Sequence, residues 1–223
     1  MPGMATGDRK AWAGVEPAHG GPVRAVGALI ASLVLGMATA YGQTVVPFAL
    51  EGLANSTGAW TLITFTVVWW TRARPIPAAL LGMASFLLLN VGYAVVANAL
   101  NGGSYYPLGL GNYWVVAGFL AGPLVGLGAS WLRHRRDVLA ALGIAGLSGV
   151  LIGDGYDGVT LYPSQSPAYW VLSAAVGVVL LLSACAVRLS GAPAKALAVV
   201  VTLVVAVCFH QATLATVHGA LRL

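Results

Sequence analysis

The chain has 223 residues, 59% of them hydrophobic and 8% charged, and a formal net charge of +5. An average soluble domain carries about 25% charged residues, so this composition excludes a water-soluble fold and calls for a bilayer. Its bases sit in short clusters beside apolar runs, a topology pattern rather than a nucleic-acid stripe, and no nucleic-acid partner is expected.

Met1–Pro22 mixes Gly, Pro and both charge signs without a helical period, and reads as a disordered cytoplasmic arm. Residues 23–223 read as a single transmembrane domain. The first span, about Val23 to Gln43, repeats Ala28, Ser32, Gly36 and Ala40 at every fourth position, a spacing that lets helices approach closely. A competing reading is a cleaved signal peptide, since Ala38-Thr39-Ala40 resembles a cleavage site. Its removal leaves the orientation of the rest unchanged.

Val45–Thr57 is irregular. Pro47 interrupts it, Glu51 stands in an otherwise apolar piece, and Asn55-Ser56 offers a helix N-cap before Trp60. It reads as a short interfacial or re-entrant piece. A short second span, Thr57 to Thr71, ends at Arg72 and Arg74. A third, about Pro77 to Leu100, carries Asn90 and Asn98, and Tyr105, Tyr106 and Tyr113-Trp114 follow as an interfacial aromatic belt.

The fourth span, about Tyr113 to Leu132, holds Gly118, Gly122 and Gly126 at four-residue spacing beside Pro123, and Arg133-His134-Arg135-Arg136 ends it. The fifth, about Val138 to Gly153, carries Gly146, Gly149 and Gly153, so close contact between these two spans is expected. Leu151–Trp170 joins two apolar runs through a turn with Asp154, Asp157, Tyr156 and Tyr162 but no base. The sixth and seventh spans run about Ala168 to Val187 and Ala196 to His218. Cys185 and Cys208 fall inside these runs and read as buried thiols rather than a disulfide.

Ten of the eleven bases lie on one side if the amino terminus is cytoplasmic, with Arg222 alone outside. The expected fold class is therefore all-α: a polytopic transmembrane bundle of about seven spans with a cytoplasmic amino terminus, in the cell membrane.

On that topology Glu51, Asn55, Asn90, Asn98, Asp154, Asp157, His210, Gln211 and His218 fall toward the outer leaflet. Ionisable groups at membrane depth tend to face a bundle interior or a water-filled cavity. Glu51, Asn55, Asn90, Asp154 and His210 are accordingly the candidate ligand-binding residues. The plainer reading of the two aspartates is that they solvate a loop and cap helix ends. No compact spacing supports a metal site, no nucleophile or phosphate-loop context is present, and no cofactor or catalytic residue is expected.

Leu53-Ala54-Asn55-Ser56 with Trp60, Ala121-Gly122-Pro123-Leu124-Val125-Gly126 leading to Trp131-Leu132-Arg133, and Asp154 with Tyr156 carry a family resemblance. From about Val23 to His218 the chain resembles an uncharacterised family of actinobacterial integral membrane proteins, which has no assigned activity. At the level of fold alone, the small-residue first helix and outer polar loops are similar to substrate-capture subunits of energy-coupling-factor transporters.

Three functions remain open. One is a transport-related component that binds a small polar or cationic solute from outside. Another is an accessory subunit docking membrane proteins through Gly118, Gly122 and Gly126 or through Ala28, Ser32 and Gly36. The third is a membrane enzyme using Glu51, Asp154 and His210. The first predicts a hydrated cavity reaching Asn90; the second predicts polar groups paired in a closed bundle.

Overall fold

The computed structural model describes residues 21–54, 56–162 and 165–220, with side chains as far as 216. All regular structure among the described residues is helical: α1 (Gly21–Val45), a 3-10 turn (Phe48–Leu50), α2 (Glu51–Ala54), α3 (Thr57–Thr71), α4 (Pro75–Leu100), α5 (Tyr113–Trp131), α6 (Asp137–Leu161), α7 (Pro167–Ser183, closing in a π turn, Ala184–Arg188) and α8 (Ala192–Ala220). The arm expected over Met1–Pro22 lies outside the described residues as far as residue 20, and Gly21 and Pro22 open α1.

Among the described residues, six helices are long and apolar enough to cross a membrane: α1, α4, α5, α6, α7 with its π turn, and α8. They mark a multi-pass membrane protein. The second expected span folds as α3, but its 15 residues fall short of the ~20 a spanning helix needs.

Local signals set the helix ends. Ser56 caps α3 by accepting the Ala59 N–H at 3.0 Å, and Arg72 closes it in the left-handed region at φ 58°. Pro75 then starts α4, where its missing N–H costs nothing. Asn112 caps α5 through the Trp114 N–H at 2.9 Å.

Packing divides the bundle. α4 lies against α1 and α5, α6 lies against α7 and α8, and α3 touches α1, α4, α5 and α6. Small residues allow these approaches, as membrane helices require in the absence of a hydrophobic drive between them. A Cβ on Gly122 would lie 2.8 Å from Met83 Cα, and one on Gly126 would overlap the Ala78 carbonyl. The α5 glycine face thus meets α4 rather than the fifth expected span, and Gly36 meets the α4 backbone at Leu89 in the same way. Contact between α5 and α6 passes instead through Gly128 and Gly143, while Gly149 and Gly153 face α8. Both small-residue faces offered for partner docking are therefore occupied within the chain.

A second correction concerns the acidic turn. α6 does not stop near Gly153 but continues to Leu161, so Asp154 and Asp157 lie on a helix and are buried. The reason is space and pairing: Gly155 and Gly158 let the Trp170 backbone and ring pack against α6, and groups from other helices satisfy most of the acids' bonding. The thiols also differ from expectation, for Cys185 is half-buried and Cys208 exposed.

Candidate functional site

Asp154 and Asp157 stand three residues apart on α6, a spacing that puts both on one helix face. They are only 6% and 2% exposed, and burying an acid is costly unless hydrogen bonds replace water. Asp154 meets this cost at the amino end of α3. A Cβ at Gly58 would lie 2.6 Å from its Oδ2, so glycine there leaves room for the carboxyl group at a helix N-terminus, where negative charge is favoured. Gly58 lies beside Asp154 and Ser56 lines the same cavity, and Ser173 Oγ lies 3.4 Å from Oδ2. Ser56 in turn bonds to the Tyr169 hydroxyl. The network ties α3, α6 and α7 together.

Asp157 is only half satisfied. Its Oδ1 lies 2.5 Å from His210 Nδ1 on α8, and Tyr156 sets its ring edge against that imidazole with centroids 5.1 Å apart. Its Oδ2 is buried and has no hydrogen-bond partner among the described residues. When Nδ1 carries the only imidazole proton, the pair keeps the negative charge of the carboxylate; a second proton on the ring cancels it.

Both acids line a cavity of ≈ 380 Å³, open on one side, between the entry to α3, the start of α5, the end of α6 and the facing parts of α7 and α8. Tyr113, Trp114, Tyr162 and Trp170 supply its aromatic walls, with Phe209 and Thr213 from α8. Tyr162 stacks on Trp170 at 6.2 Å and 29°. Burial and the nearby Asp157 and Asp154 raise the Tyr162 phenol above its ordinary range, so it remains a neutral donor. Buried acids facing aromatic rings suit a cation with an apolar body. Among the described residues, no three His, Cys, Asp or Glu side chains gather as a metal-holding group.

A sequence profile of a family of unknown function, DUF6518, matches residues 16–217. The chain belongs to the DUF6518 family. No curated protein and no solved structure matches it. Membership in DUF6518 agrees with the expectation of an uncharacterised family, and carries neither an actinobacterial origin nor a likeness to energy-coupling-factor subunits.

In this DUF6518 chain the four described residues among the five expected to bind a ligand do not line one cavity. Asp154 lines the cavity, and His210 stands behind Asp157 as its partner. Glu51 is exposed at the first turn of α2 and is not part of the cavity wall. Asn55 lies outside the described residues, and so does the side chain of His218.

Asn90 is buried, but outside the cavity wall. Its amide donates to the Phe86 carbonyl at 3.0 Å and the Trp114 carbonyl at 3.3 Å, while its oxygen accepts from the Tyr106 hydroxyl at 2.9 Å. Asn98 is likewise occupied, by the backbone of Tyr106. These groups surround an aromatic core in which Trp60 meets Phe86, Tyr93 and Trp114 at centroid distances of 6.0, 5.6 and 4.9 Å. Asn90 and Asn98 are thus both paired, and the cavity that holds the two acids includes neither of them.

Sequence reasoning placed Asp157 in a solvated turn and passed over Ser56, Ser173 and Trp170 as site residues. A usable signal was present: Gly153, Asp154, Gly155, Asp157 and Gly158 put small and acidic positions on a continuing helix.

Proposed function

We propose that this protein is a solute-binding component of a membrane transport system, and that its α3–α6–α8 cavity takes a small organic cation. The observation that carries this reading is Asp157, which lines an open, aromatic-walled cavity and has one carboxylate oxygen unpartnered among the described residues. A protonated amine supplies the missing N–H and positive charge, and the rings hold its apolar part.

Orientation belongs to the same proposal. The chain crosses the cell membrane seven times, α3 being the short crossing, with its amino terminus in the cytoplasm. Support comes from the bases Arg24, Arg72, Arg74, Arg133, Arg135, Arg136, Arg188 and Lys195, which flank the helix ends opposite the cavity. The cavity then opens outward.

The docking reading rested on small-residue faces that are occupied within the chain. The enzyme reading needed Glu51 beside Asp154 and His210, and Glu51 is not in the cavity wall.

Equilibrium binding of small ammonium compounds, from methylammonium to choline, to the purified protein tests the proposal. At least one is expected to bind the parent and to lose at least tenfold in affinity with Asp157→Asn. Equal binding by that variant, or none across the series, overturns it.

A further inference from the structure

At the basic end of the bundle the last turn of α3 draws two other helices toward one patch. Gly27 of α1, one turn beyond Arg24, packs against the Trp70 ring at 3.5 Å from its Cβ position. At the end of α5, Ser130 Oγ donates to the Ala73 carbonyl at 3.1 Å. The Arg133 guanidinium lies over the Trp69 ring, Cζ 4.1 Å from the centroid. Arg72 stands between these contacts, exposed, in the left-handed conformation that ends α3. Arg24, Arg72 and Arg133 therefore reach the patch from α1, α3 and α5.

Like charges gathered this way repel, and the described acids offer them no counter-charge. Asp137 is the described acid at this end. Its Oδ2 accepts from Ser190 Oγ at 2.6 Å and Ser190 N at 2.9 Å, and its Oδ1 faces Arg188 Nη1 at 3.4 Å. Arg133 Nε is buried and lacks a hydrogen-bond partner among the described residues. Burial, with Arg72 and Arg24 close by, weakens the Arg133 guanidinium's hold on its proton, the signature of a cation in want of an anion. Trp69 covers one face of the Arg133 guanidinium, and Arg72, exposed at the same patch, can pair with a planar or tetrahedral oxyanion.

We propose that Arg24, Arg72 and Arg133 form a phosphate-binding site at the basic face of the membrane, filled by a lipid headgroup or by free phosphate. Bidentate pairing of a guanidinium edge with phosphate oxygens offsets the repulsion among the three arginines. Trp69 and Trp70, 41% and 51% exposed, suit the depth at which headgroups lie. This site is independent of the solute cavity.

The full-length protein in nanodiscs tests it, with melting followed by intrinsic tryptophan fluorescence. One arm compares phosphatidylcholine with a mixture containing phosphatidylglycerol; another adds inorganic phosphate to phosphatidylcholine discs. One or both additions should raise the melting temperature of the parent. Arg133→Lys, which keeps the charge but loses Nε and the fork, and the surface changes Arg24→Gln and Arg72→Gln should at least halve that rise. Lys195→Gln, on α8, should leave it intact.

A response to phosphatidylglycerol alone assigns the site to a headgroup, and one to inorganic phosphate assigns it to the free ion. Arg24→Gln and Arg72→Gln carry the test even if Arg133→Lys does not fold. The proposal is overturned if neither addition acts, if the arginine variants respond like the parent, or if Lys195→Gln lowers the response as much as they do.

Discussion

Asp157 Oδ1 and His210 Nδ1 lie 2.5 Å apart across the α6–α8 interface, where Gly149 and Gly153 bring the two helices together. The imidazole holds one carboxylate oxygen, and the other is buried without a partner among the described residues. His210→Ala removes this hold and leaves both oxygens of a buried acid without a partner. Such an orphaned group costs about 1–3 kcal/mol, so the variant should unfold at lower denaturant than the parent. Combining it with Asp157→Asn should cost less than the two single losses added together, because the groups share one interaction. Simple additivity in that double-mutant cycle would rule out the coupling.

The amino end of α3 depends on Gly58 being bare. Gly58→Ala places a methyl group 2.6 Å from Asp154 Oδ2 and 3.1 Å from Ser173 Oγ, which pushes the acid off the helix N-terminus. This variant should melt below the parent. Once a ligand is identified, Gly58→Ala should also weaken its binding, since the displaced carboxyl group lines the cavity. A Gly58→Ala protein with parental melting and binding would show that Asp154 does not need this approach.

Glycines on α5 and α6 make opposite predictions. Gly126 admits no Cβ without overlapping the Ala78 carbonyl, whereas Gly146 has open space. Gly126→Ala should therefore destabilise by about 1–3 kcal/mol, as overpacking typically does. Gly146→Ala should be neutral or stabilising by up to ~1 kcal/mol through helix propensity. Thermal unfolding in detergent checks both. The close packing of α4 on α5 would be wrong if Gly126→Ala melted with the parent.

Single cysteines test the orientation. In a Cys185→Ser, Cys208→Ser background, Gln165→Cys sits in the α6–α7 connection and Arg136→Cys in the α5–α6 connection. An impermeant thiol reagent should label the first in intact cells and the second only after lysis. The reverse pattern would invert the proposed topology and turn the cavity toward the cytoplasm.

Runs of apolar residues are a local, additive property, and a bilayer demands them. That is why the all-helical class and the approximate positions of the six long apolar helices among the described residues were legible before any packing was known. Single-residue signals reached further in places: Ser56 before Trp60 marked the start of α3, Arg72 its end, and small residues at four-residue spacing marked faces of close approach.

What these signals left open was the identity of the neighbour. Gly118, Gly122 and Gly126 were expected to meet the fifth span or another protein, and only the tertiary structure joins them to α4. Gly-Asp-Gly-Tyr-Asp-Gly looked like the end of a helix because local composition counts polar residues as exposed. The helix continues because Ser173 and His210, remote in the chain, meet the two aspartates. Asn90 and Asp157 were equally polar to the eye, yet one is bonded through both ends of its amide and the other keeps a buried oxygen without a partner among the described residues. Hydrogen-bond satisfaction is decided by groups from several helices at once, and no single stretch of chain contains it.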